Sequence, residues 1–145
     1  MTMETTMTVT PTLGELLARH HREVLDHLDR NASIPAVTVG RQGDVLVCAT
    51  IDGAEGTAVP PEGVVLVRGS NDHVLLADGD VRWEDFTMGD LIDEGGPSIG
   101  MILVAEGATA YLLHPEHGAL AMVGPANYEV IRQREWRGRD ATVAD

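Results

Sequence analysis

The stretch TAYLLHPEHGALAMV, residues 109–123, predicts two apolar strands joined by a tight turn. Residues 110–113 and 119–123 are apolar runs of strand length that flank a cluster of turn-forming residues. Within that cluster, Pro115 presets the backbone angle φ and Gly118 accepts a positive φ, as a short hairpin loop requires. The stretch therefore predicts an antiparallel hairpin with residues 115–118 as its loop.

Similar short apolar runs, separated by Gly, Asp and Asn, continue through the chain from Ile34 onward. The other predicted strands lie near residues 36–39, 44–51, 64–67, 73–77, 101–104 and 128–136. The sequence therefore predicts an α+β, mainly β fold, a small antiparallel barrel or sandwich of about eight short strands preceded by one amphipathic helix.

The amphipathic helix is predicted over residues 12–31, between a flexible arm at 1–11 and a β-rich domain at 34–145. Thr12 and Glu15 have the spacing of a capping box, and apolar residues then recur at helical intervals. We expect the apolar stripe to be buried in an interface with a partner or against the strands of the same chain. The predicted interface residues are Leu13, Leu16, Leu17, His20, Val24 and Leu28.

Composition limits the function classes. The chain has 145 residues and a net charge of −13, which argues against nucleic acid as a partner. It contains no run long enough to span a membrane and no signal-peptide pattern, so a cytoplasmic location is expected, or a virion if the gene is a phage gene. All ten basic residues are Arg, which suggests a GC-rich genome such as that of an actinobacterium or its phage. No cofactor is predicted.

Two segments carry contrasting charge. Residues 78–94 are rich in Asp and Glu, whereas residues 132–139 contain four arginines. Such runs are usually solvated surfaces, but the acidic segment of one subunit could also meet the basic segment of another in a homo-oligomer. The candidate contacts for a ligand or partner are Arg132, Arg134, Arg137 and Arg139.

The densest group of potentially reactive side chains is in the predicted hairpin loop. His114, Glu116 and His117 are candidate catalytic residues, and the two histidines together with His73 are candidate metal ligands. Imidazole and carboxylate suit zinc, iron or nickel, and also a general base with its orienting partner. The alternative is that these residues form a structural turn with no ligand or catalytic role, and the spacing leaves open whether His73 lies near it.

The C-terminal part of the chain contains H-P-E-H-G at 114–118, Y-E-V at 128–130, Q-R-E-W at 133–136 and V-A-D at 143–145. These motifs resemble an uncharacterised family of small bacterial and phage β-rich proteins that share H-x-E-H-G, Y-x-V, Q-R-E-Y and a terminal V-A-D. Members also carry G-E-x-T-G-H-x-H, and the corresponding residues 69–75 retain only His73. The resemblance implies no assigned activity; the lost polar segment and the added helix favour binding over catalysis.

We therefore expect a non-enzymatic, self-associating binding or assembly module with a protein partner, such as a phage or actinobacterial accessory subunit. One alternative is a metal-dependent hydrolase that uses the histidines, with Glu116 or Glu135 as base. Another is an acidic mimic of nucleic acid or a sponge for a small ligand.

Overall fold

The strands place their apolar residues on two facing sheets. The structure, a computed structural model, describes residues 10–86, 98–136 and 140–142, with side chains described up to Gln133. Its elements are α1 (Leu13–His20), β1 (Val39–Gln42), β2 (Val45–Thr50), β3 (Thr57–Ala58), β4 (Val64–Val67), β5 (His73–Asp78), β6 (Val81–Asp85), β7 (Ser98–Val104), β8 (Thr109–His114), β9 (Gly118–Val123), β10 (Ala126–Arg132), β11 (Arg134–Trp136) and β12 (Asp140–Thr142).

The two main sheets form an antiparallel sandwich. One has six strands in the order β1-β2-β10-β7-β6-β3, and the other has four in the order β4-β5-β8-β9. β11 and β12 pair separately. In the described residues the sheets do not close into a barrel, so the mainly β prediction is confirmed in its sandwich form.

The core lies between the sheets and is mostly aliphatic. Val45 and Val130 from the larger sheet and Leu75 and Leu112 from the smaller one are fully buried there. Each buried Leu or Val stabilises the fold by about 1.5–3 kcal/mol relative to an exposed one. Packing of the two inner faces therefore fixes which face of every strand points inward.

The quoted hairpin forms as β8 and β9, with His114 paired to Gly118 and φ of +90° at the glycine. The loop between this pair is residues 115–117. Strand β6 was not predicted, although Val81 and Trp83 are buried on alternate positions, because its other residues are charged. The strand predicted at 128–136 divides at Gln133, whose backbone N–H donates to the carbonyl oxygen of Asp44 at 2.8 Å.

The helix prediction was correct at its start and wrong at its end. The Thr12 side chain accepts from the Glu15 N–H, and the Glu15 carboxylate accepts from the Thr12 N–H, so the capping box is formed. The helix stops at His20 instead of residue 31, because His21 adopts the left-handed conformation at φ +56°. The Arg22 N–H then donates to the Leu17 carbonyl at 2.9 Å, which closes the helix end.

The apolar stripe packs against the outer face of the chain's own four-stranded sheet. Leu16 is fully buried, and the stripe contacts Val74, Leu76, Tyr111 and Leu113. Its buried members are Leu13, Leu16, Leu17 and Val24, with Leu28 partly buried. Of the two expectations for the stripe, packing within the chain is therefore the one that the structure displays.

Two residues of the predicted arm, Thr10 and Pro11, are bonded to the folded unit. The Thr10 hydroxyl donates to the Ile34 carbonyl, and the Ile34 N–H donates to the Pro11 carbonyl at 3.0 Å. Residues 10 and 11 are therefore part of the folded unit, and the rest of the predicted arm lies outside the described residues.

Candidate functional site

Three predicted site histidines converge at one end of the sandwich. His73 begins β5 and His114 ends β8; these strands are antiparallel neighbours, which brings the two rings to a centroid distance of 4.4 Å. His117, in the following loop, lies 4.5 Å from His114 by the same measure. His73 and His114 are fully buried, whereas His117 is exposed. The three rings thus form a row from the interior to the surface.

Gln42 fixes the orientation of the innermost ring. Its side-chain N–H groups donate to the carbonyls of Leu112 at 2.9 Å and Gly118 at 3.0 Å. The Gln42 Oε1 must therefore be the atom that faces His73 Nδ1, at 2.9 Å. Because Oε1 can only accept, His73 Nδ1 carries a proton and donates it.

Asp44 adds a buried charge to the same cluster. Its carboxylate is 1% exposed; Oδ2 accepts from Arg132 Nε at 2.9 Å, and Oδ1 lies 3.5 Å from His73 Nε2. Arg132 is 33% exposed, so the pair lies at the boundary between interior and solvent. A buried carboxylate requires such partners, because an unpaired charge is costly to desolvate. We call His73, His114, His117, Gln42, Asp44 and Arg132 the histidine end.

His114 holds the hairpin loop in place. Its Nδ1 accepts hydrogen bonds from the backbone N–H groups of Glu116 at 3.0 Å and His117 at 3.2 Å. Nδ1 is therefore the unprotonated nitrogen of this ring. The lone pair that would act as a general base is engaged by the loop itself.

The donor atoms of His114, Glu116 and His117 lie within 4.8 Å of one another. A neighbouring segment supports this loop: the Leu25 N–H donates to the Pro115 carbonyl at 2.8 Å, and His27 Nε2 lies 3.2 Å from the Glu116 carbonyl oxygen. The predicted metal-ligand group is therefore partly assembled by the fold, although His73 points to Gln42 and Asp44 instead.

The remaining predicted sites are dispersed. Of the four arginines, Arg132 is bonded to Asp44, and the side chains of the other three lie outside the described ones. In the acidic segment, Asp78 pairs with Arg19 and lies 3.4 Å from His20. Burial, followed by the nearby Asp78 carboxylate, raises the pKa of Tyr111. Asp90, Asp93 and Glu94 lie outside the described residues.

Sequence reasoning missed Gln42 and Asp44. Both flank Gly43 in the β1–β2 turn, where polar residues are normally solvated. Nothing near Gln42 in the sequence indicates its partner His73, which is 31 residues away.

No curated protein and no solved structure matches this chain. Within the residues that the structure describes, no helix has the length and apolarity needed to cross a membrane. A family model matches residues 41–133, a range that contains the whole histidine end and excludes α1. The expectation of an uncharacterised family is confirmed: the chain belongs to the family described as Domain of unknown function (DUF8820).

Proposed function

We propose that this chain is a non-enzymatic β-sandwich module that acts by self-association through the edge of its smaller sheet. The observation that carries the proposal is strand β4, Val64–Val67, which consists of four apolar residues and pairs only with β5 among the described residues. An apolar edge strand without charges is a template for pairing with another strand. We call it the β4 edge.

The surroundings of the β4 edge suit strand addition. A cleft of ≈ 150 Å³ runs along all four residues and is lined on its far side by Trp83, Ile99 and Arg132. In strand addition, main-chain hydrogen bonds supply affinity and adjoining pockets accept side chains. The cleft is too small for a typical drug-sized ligand.

Charges flanking the edge favour a second copy of this chain as the partner. Glu62 and Arg68 are both exposed and lie three residues before and after Val65. Antiparallel pairing of two copies centred on Val65 would bring Glu62, in the turn before β4, near Arg68 of the other copy. Among the described residues Arg68 has a loose partner, Asp72 at 3.9 Å, and its side chain is 79% exposed, so it is available for such a contact. The edge, which has a register shift between Val65 and Val67, is therefore complementary in charge to a second copy of itself.

The histidine end supports a role without catalysis. His73 and Asp44 are buried and bonded within the fold, and His114 Nδ1 is used by its own loop. A general base must reach the proton that it removes, and these groups reach each other instead. Their arrangement is that of a structural polar network.

Sedimentation velocity of the full chain tests the proposal. We expect a dimer at micromolar concentration, a monomer for Val65→Lys and an unchanged dimer for the matched control Val65→Thr. In the proposed register the two copies of residue 65 face each other, so the lysine variant places the Cβ atoms of two cationic side chains about 5 Å apart. A wild-type monomer at high micromolar concentration, or a Val65→Lys dimer of unchanged affinity, would contradict the proposal.

A further inference from the structure

We infer that the loop after β8 binds a divalent transition-metal ion through His114, Glu116 and His117. This site is separate from the β4 edge and goes beyond the proposed self-association. Self-association through the β4 edge does not require this metal ion.

The fold brings the three donors together before any ion binds. Their donor atoms already lie within 4.8 Å of one another, and the pairing of His114 with Gly118 fixes both ends of the loop. The hydrogen bond from Leu25 to Pro115 ties the loop to the segment that follows α1. Closing the donors around an ion requires rotation of the Glu116 and His117 side chains, neither of which is buried, and release of the two loop amides from His114 Nδ1.

The donor set has a definite preference. Two imidazoles and one carboxylate are the ligands of open zinc sites, which complete their coordination with water. Calcium and magnesium favour oxygen donors and are not expected to compete. The class of ligand is therefore Zn²⁺ and its close chemical relatives, such as Co²⁺ and Ni²⁺.

His114 is in the protonation state that a metal needs. Its Nδ1 accepts from the amides of Glu116 and His117, so it has a lone pair directed into the loop that contains the other two donors. Binding at this atom would exchange two backbone hydrogen bonds for one metal bond. The ion would thus displace the amides of Glu116 and His117, a change in the loop that is distinct from the number of ions bound.

Isothermal titration of the untagged full chain with Zn²⁺, together with the visible absorption of a Co²⁺ complex, tests the inference. We expect one ion per chain. His117→Ala and Glu116→Gln should each weaken binding at least about tenfold, since even partners of a metal ligand contribute that much. The matched control is His21→Asn, which changes an exposed histidine at the end of α1 and keeps a residue type that tolerates its positive φ; the Zn²⁺ affinity of this variant should equal that of the wild type.

Substoichiometric Zn²⁺ binding, or binding that His117→Ala and Glu116→Gln leave unchanged, would overturn the inference. A loss of Zn²⁺ affinity for His21→Asn as large as that for His117→Ala would also refute the stated ligand set. Unchanged melting curves show that the variants are folded. Sedimentation in the presence of a chelator separates the two proposals: a dimer that binds no Zn²⁺ refutes only the metal site, and a monomer that binds Zn²⁺ refutes only the self-association.

Discussion

The histidine end and the β4 edge use their residues in opposite ways. At the histidine end, side chains of the types used in catalysis are buried and bonded to one another, as in the contacts of Gln42 with His73 and of Asp44 with Arg132. At the β4 edge, chemically inert valines line a strand that is paired on one side only in the described structure. The comparison teaches that reactive residue types can serve stability while inert ones leave a backbone edge available for binding. Mutations at the two places should therefore change different quantities.

The largest expected effect is on stability at the histidine end. Asp44→Ala removes the partner of Arg132 and should lower the free energy of unfolding by about 2–3 kcal/mol. Breaking a buried ion pair costs roughly 3–5 kcal/mol, and the partly exposed Arg132 recovers some of this through solvation. Urea denaturation measures the difference.

Asp80→Ala is the matched control, because Asp80 is an exposed acid that lies 3.6 Å from Arg82. An exposed pair contributes under about 1 kcal/mol, so this variant should unfold close to the wild type. Equal losses for the two variants would show that the buried network has no special role.

A smaller effect is expected at the hairpin loop. His114→Ala leaves the amides of Glu116 and His117 without their acceptor and also creates a cavity. His114→Asn supplies a side-chain oxygen that can accept from the amide two residues later, as in an Asx turn. We therefore expect the free energy of unfolding of His114→Asn to exceed that of His114→Ala by about 1 kcal/mol, the typical contribution of one hydrogen bond. Thermal denaturation measures the melting temperature of both variants. A melting temperature of His114→Ala equal to or above that of His114→Asn would contradict this interpretation.

The smallest effect concerns association at the β4 edge. Glu62→Arg and Arg68→Glu should each weaken self-association roughly fivefold, because each converts two attractive surface contacts of the dimer into repulsive ones. Combining both substitutions in one chain should restore the wild-type affinity.

Mixing the two single variants provides the internal control. The Glu62→Arg variant has arginine at both positions, and the Arg68→Glu variant has glutamate at both. The mixture should therefore form heterodimers in preference to either homodimer. Homodimers and heterodimers in statistical proportion would rule out the Glu62–Arg68 register. Neither substitution should alter the unfolding free energy by more than about 0.5 kcal/mol, in contrast to Asp44→Ala.

Local signals in the sequence were sufficient for much of the fold. The β8–β9 hairpin and the Thr12 capping box follow from residues within a few positions of each other. The helix was extended too far because Val24 and Leu28 continue its periodicity, and both do contact the same sheet although the backbone has left the helix at His21. Periodicity reports which residues are buried, and it does not report where a helix ends.

The candidate site could be predicted only in part. The histidines of the loop are adjacent in sequence, and their closeness was evident. Gln42 and His73 are 31 residues apart and lie in different sheets, so only the packing of one sheet on the other brings them together. Asp44 and Arg132 are 88 residues apart and meet because β10 pairs with β2, a long-range pairing that no short-range pattern specifies.

Hydrogen–deuterium exchange as a function of protein concentration tests the central proposal most directly. If two copies pair through the β4 edge, amides of Val64–Val67 become more protected as the concentration rises from nanomolar to high micromolar. Amides of β8, which is paired on both sides within one chain, should exchange at the same rate throughout and serve as the internal reference. Exchange at Val64–Val67 that does not change with concentration would contradict self-association through this edge.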